Sequence, residues 1–104
     1  MFGQEIPSAD VERMARLSYA FSDSLRVLIV AILREQKSVC VCQFQSQLGL
    51  SQSKTSYHLK ILINAGIIRR EVRGTWSHYS LVDKNAVDHL WRILDVSTKT
   101  PDSV

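Results

Sequence analysis

The sequence predicts a mainly α fold with a β-hairpin wing: a winged helix-turn-helix, acting as a homodimer. Three observations predict it. Apolar residues recur at helical spacing through most of the chain, then alternate over residues 67–82. The brief turn "LGLS" at 48–51 separates a short helical stretch from one that opens on small polar residues. A chain of 104 residues is one domain with a small core, so burial against a second copy would help it.

Each element has its own signal. Residues 1–8 read as a flexible arm and 97–104, rich in Ser, Thr and Asp, as a flexible tail. Between them, 9–96 are expected to form the one winged helix-turn-helix domain. Val11, Met14, Leu17, Ser18 and Phe21 fit one face of a first helix. "SDS" at 22–24 offers N-cap oxygens to a strongly apolar second helix over about 25–35. A short third helix over about 41–48 stops at Gly49, and Ser51 caps a fourth that ends at Gly66. Its apolar face is Thr55, Leu59, Leu62 and Ile63. Two β-rich runs around Arg73, Gly74 and Thr75 make the hairpin. A last helix over about 84–95 carries Val87, Leu90, Trp91 and Leu94 on one face. Leu17, Leu90, Trp91 and Leu94 are the expected dimer interface.

Composition narrows the function. There are 13 basic and 10 acidic residues, a net charge of +3. The placement of the cations matters more than their sum. The longest apolar run, "VLIVAIL" at 27–33, is too short to span a bilayer, and the N-terminus lacks a signal-peptide pattern. The chain is therefore expected to be cytoplasmic, with no membrane partner. There is no Gly-rich phosphate loop, suggestive carboxylate pair or nucleophile motif, so an enzyme is not expected.

The second helix of a helix-turn-helix enters the major groove on its N-terminal turns. Here those turns carry Ser51, Gln52, Ser53, Lys54, Ser56 and Tyr57. Gln52 suits adenine, the serines suit base or phosphate, and Lys54 and Lys60 suit phosphates. His58 has two readings: a donor to phosphate, or a brace between this helix and the wing. Arg69, Arg70 and Arg73 on the hairpin can follow a DNA backbone or reach a minor groove. Trp76 and Tyr79 read as packing residues of the wing. The partner expected is double-stranded operator DNA. A winged helix that binds only protein is the rival from another class, and the basic wing argues against it.

Cys40 and Cys42 are the only cysteines. A Cys-x-Cys disulfide would be strained. In a reducing compartment a close pair more often binds metal or serves redox chemistry, and burial as two small hydrophobes is the plain alternative.

The chain resembles the ArsR/SmtB family of winged-helix repressors over roughly residues 11–94. The resemblance is carried by "SQSKTSYHLKIL" at 51–62, "GTWSHYSL" at 74–81, and "CVC" at 40–42, the mark of the arsenic- and cadmium-type branches. It implies a homodimer that binds an inverted-repeat operator and leaves when an inducer binds. Family members use either the "CVC" helix for soft ions or the last helix for zinc-type ions. The last helix here offers only Asp88 and His89, about 100° apart, so that site is not expected.

Thiolates select soft acceptors such as trivalent arsenic and antimony, Cd, Pb, Cu(I) and Zn. The third cysteine of the arsenic-type pattern is replaced by Gln45, and neither the arm nor the tail holds another. Two thiolates fall short of a tetrahedral Cd or Zn shell but leave one place in a three-ligand As(III) or Sb(III) pyramid. The inducer expected is As(III) or Sb(III) on Cys40 and Cys42, with no resident cofactor. Sensing of another thiophilic metal, or thiol oxidation or persulfide formation, is the alternative. Residues i and i+2 of a helix point about 200° apart. Either Cys40 precedes the helix or binding unwinds its first turn, and the distortion would pass to the recognition helix.

Overall fold

A computed structural model of the chain describes residues 6–94. The expected tail, and the arm up to residue 5, lie outside them. In order come α1 (Ser8–Ala20), α2 (Ser24–Glu35), β1 (Val39–Cys40), α3 (Val41–Leu48), α4 (Gln52–Asn64), β2 (Ile68–Arg73), β3 (Trp76–Leu81) and α5 (Lys84–Ile93).

Local chemistry sets the boundaries. Of the "SDS" oxygens, it is Asp23 that caps α2, accepting from the N–H groups of Leu25 (2.8 Å) and Arg26 (3.3 Å). Ser51 caps α4 by accepting from Lys54 N–H, and Asp83 caps α5 by accepting from Ala86 N–H. Gly49 ends α3 at φ 64°, in the left-handed region that glycine adopts without strain. That residue makes the tight turn between the two helices of the motif.

The expected hairpin is two-thirds of a sheet. Its strand order is β1-β3-β2, all antiparallel. β1 was not foreseen as a strand. It pairs Val39 with Tyr79 and Cys40 with His78. Two residues are too few to show a period-2 pattern, and only the pairing reveals them. One sheet face, with Val39, Tyr79, Ile68 and Leu81, packs into the core beside Ile29, Val30, Phe44, Leu59 and Leu62. Phe44 of α3 meets Tyr79 of the wing at 6.3 Å between ring centroids. Trp76 departs from expectation: it sits at the wing tip, paired with Arg73, and is 57% exposed. A tip residue beyond the core has nothing to pack under.

Candidate DNA interface and thiol pair

The N-terminal turns of α4 present a polar surface. Ser51, Gln52, Ser53, Lys54, Ser56, Tyr57 and Lys60 are all exposed. Thr55 is fully buried, and its hydroxyl donates back to Ser51 carbonyl oxygen (2.8 Å), so it anchors the helix start. Arg69, Arg70 and Arg73 are exposed on the wing. Two are steadied by serines across the ladder: Arg69 Nε donates to Ser80 Oγ (3.4 Å) and Arg70 Nε to Ser77 Oγ (3.0 Å). Arg73 meets Glu71 at 3.0 Å.

His58 is the one member of the expected DNA-contacting set that faces inward, at 4% exposure. Its Nδ1 lies 3.0 Å from Arg26 Nη1. It braces α4 against α2, not against the wing. Arg26 is itself 3% exposed and donates from Nε to Ala20 carbonyl oxygen (2.9 Å) and from Nη2 to Tyr19 carbonyl oxygen (3.1 Å). It thus satisfies the Ala20 carbonyl at the end of α1, and joins Ser22 on that of Tyr19, while holding the recognition helix. Arg26 is not among the residues that the sequence pattern singles out; its local signal is a lone cation in the first turn of a helix whose other charges, Arg34 and Glu35, lie in the last turn.

The cysteines stand where β1 becomes α3. Cys40 is the N-cap of α3, with extended backbone (φ −72°, ψ 148°). So Cys40 precedes the helix, the first of the two geometries weighed from sequence, and no unwinding is needed to bring the thiols together. Their sulfurs are 2.6 Å apart, with Cys40 buried and Cys42 exposed. Cys42 N–H donates to Cys40 Sγ (3.3 Å), and Cys40 N–H donates to Gln43 Oε1 (3.0 Å), a capping box built on a thiol. The Cys42 thiol, with the backbone N–H groups of Cys42 and Gln43, pulls Cys40 below the usual thiol range, against the effect of burial. Its partnership with Cys40 pushes Cys42 up. Of the two thiols Cys40 is therefore the readier to ionise, with the Cys42 thiol as its donor. Among the described residues no group of three or more His, Cys, Asp and Glu side chains is placed to hold a metal ion.

On α5, Asp88 is engaged in ion pairs with Lys84 (2.7 Å) and Arg34 (2.8 Å), which hold its carboxyl below the ordinary range. His89 is exposed. The four residues assigned to dimerisation gather along one apolar groove of about 780 Å³ between α1, α2 and α5. Leu17, Leu90 and Trp91 are half-buried there and Leu94 is 60% exposed. Met14 and Leu28 line it too, at 63% and 44% exposure. No helix among the described residues is long and apolar enough to cross a membrane.

A polar recognition helix, a basic wing and an unpartnered apolar face define a winged helix-turn-helix regulator of transcription. Comparison with known proteins narrows the class. Residues 23–70 match the bacterial regulatory protein, arsR family. An uncharacterized HTH-type transcriptional regulator of Methanocaldococcus jannaschii is 37% identical over 84 residues, covering 81% of this chain and 93% of that one. The arsenical resistance operon repressor of Bacillus subtilis is 43% identical over 65 residues, 62% of each chain. The homodimeric winged helix-turn-helix DNA-binding domain of a possible ArsR-family regulator from Mycobacterium bovis superposes with a TM-score of 0.77. It is 24% identical, over 92% of this chain and 88% of that one. The chain belongs to the ArsR family, whose members are DNA-binding regulators and not an enzyme class.

Proposed function

We propose that the protein is a homodimeric repressor that binds an inverted-repeat operator and is released when trivalent arsenic or antimony bonds to Cys40 and Cys42. The observation that carries this reading is the convergence of the two sulfurs, 2.6 Å apart at the start of α3, with Cys42 open to solvent. The B. subtilis relative, named as an arsenical resistance operon repressor, supports the choice of ion. The apolar groove supports the dimer, as does the homodimeric M. bovis domain.

The chemistry balances without an oxidant. Two thiols displace two hydroxyls from arsenous acid, giving two As–S bonds, one retained hydroxyl and two waters. The Cys40 thiolate attacks first, and the Cys42 proton leaves with a departing hydroxide. The retained oxygen fills the third place of the pyramid.

The coupling follows from position. Cys40 belongs at once to β1, to the cap of α3 and to the ladder with His78 on the wing strand β3. Bonding both thiols to one ion fixes the geometry of the β1–α3 junction, and a displacement there reaches α4 through α3 and the wing through β3, the two elements that would contact DNA. Release requires that the DNA-free form bind the ion more tightly.

The test is operator release, followed by fluorescence anisotropy, with arsenite, antimonite, cadmium, zinc and peroxide in parallel. Release by arsenite or antimonite at the lowest concentration supports the reading. Release by cadmium, zinc or peroxide alone moves the protein to another thiophilic or redox signal.

A further inference from the structure

A second groove, of about 1220 Å³, runs along the wing and shares no lining residue with the apolar groove. Its walls are the C-terminal end of α2 and the loop after it, strands β2 and β3, and the start of α5. Six basic side chains line it (Arg34, Lys37, Arg69, Arg70, Arg73 and Lys84) against two acidic ones, Glu35 and Glu71. Some of this charge is matched: Arg34 and Lys84 share Asp88, and Arg73 holds Glu71. Lys37, Arg69 and Arg70 have no carboxylate partner among the described residues.

We infer that this groove holds the phosphodiester backbone of the duplex flanking each operator half-site, an inference that rests on the operator-binding reading above. Size and openness argue for a polymer: a single phosphate would occupy one corner of it. Continuity argues for DNA, because one wall is the wing itself. Arg69 and Arg73 lie on the same face of β2, four residues or about 13 Å apart. One strand of B-DNA offers a phosphate about every 3.4 Å of axis, so the pair spans several phosphates. Ser38 and Ser80 add hydroxyl donors between the cations. The Arg73–Glu71 pair is exposed and therefore weak, so the guanidinium is free to exchange partners. Lys37 is the new element. It sits in the loop between α2 and β1, outside both the recognition helix and the hairpin, and extends the cationic surface beyond the wing.

The experiment uses the full chain and an operator selected by it from random-sequence duplex DNA. Two lengths are compared: one trimmed to the edge of the wing footprint, one extended by about one helical turn, roughly ten base pairs, on each side. Lys37 is exposed and its side chain makes no hydrogen bond or ion pair among the described residues, so Lys37→Ala leaves the fold alone. Lys37→Ala should bind the extended duplex several-fold more weakly. Its log K against log salt slope should be shallower by about 0.9 per phosphate lost, about 1.8 for both protomers. The trimmed duplex should show neither change, and Lys37→Arg should restore both. Equal losses on the two duplexes, or no loss on either (as expected if the groove serves an acidic protein segment), overturn the inference. Failure of the wild-type chain to select or bind any duplex overturns the operator reading itself.

Discussion

Arg26 Nη1 stands 3.0 Å from His58 Nδ1, and both side chains are buried. A ring nitrogen facing a guanidinium accepts, so His58 is neutral with its proton on Nε2. This contact ties the recognition helix to α2, and through the carbonyls of Tyr19 and Ala20 to α1. One buried cation thereby links α4 to α1, one of the helices that line the apolar groove.

Stability should depend on pH through this ring. Burial lowers the His58 pKa, Arg26 and Lys54 lower it further, and Asp23 opposes them. The unfolded chain takes up its proton near pH 6.5, while the folded one resists to lower pH. Stability is therefore complete above about pH 6.5, falls as pH drops through that value, and levels off below the folded pKa. Asp23 is held down by the N–H groups of Arg26 and Leu25 against burial, and Asp88 by Lys84 and Arg34. Their contributions are lost only below about pH 4. Urea midpoints measured from about pH 7.5 to 5 should fall for wild type and stay flatter for His58→Gln. Parallel curves would remove His58 as the cause.

Arg26→Met should destabilise the fold by about 3 kcal/mol, because it strands the Ala20 carbonyl and the His58 ring nitrogen in the interior. Urea denaturation reads the value. A loss within about 0.5 kcal/mol, the size of an ordinary surface change, would contradict the brace.

Leu28→Glu places a charge in the apolar groove, at a position exposed enough to leave the monomer folded. Sedimentation should show a monomer with unchanged helical circular dichroism, and operator affinity should collapse with it. A dimer of undiminished stability would move the interface elsewhere.

The thiol pair should titrate in two steps, one below and one above the ordinary thiol range. In Cys42→Ala the remaining thiol loses its main donor, and its step should move up toward the ordinary value. Ultraviolet thiolate absorbance follows both.

Much of this was legible from residues. The serine before α4, the glycines at both turns and the switch from helical to alternating spacing located the helix-turn-helix and wing, because each is a local signal. "CVC" was legible as chemistry, and the helical angle between i and i+2 already required Cys40 to leave the helix or distort it. Its solution was not legible, because β1 exists only through pairing with Tyr79 and His78, about 40 residues away. For the same reason neither reading of His58, a phosphate donor or a brace against the wing, names its partner: nothing local links it to Arg26, 32 residues earlier. Trp76 was read as packing because large apolar residues usually are, and a hairpin tip that outreaches its core breaks that rule.

The central claim is that Cys40 and Cys42 couple ion binding to DNA release. Serine caps a helix at least as well as cysteine, so Cys40→Ser keeps the start of α3 while removing the soft donor. The decisive measurement is arsenite titration of the operator complex formed by wild type, Cys40→Ser and Cys42→Ser. Wild type should leave the operator, and both variants should stay bound at every arsenite concentration. Release of either variant at the wild-type concentration would contradict the account.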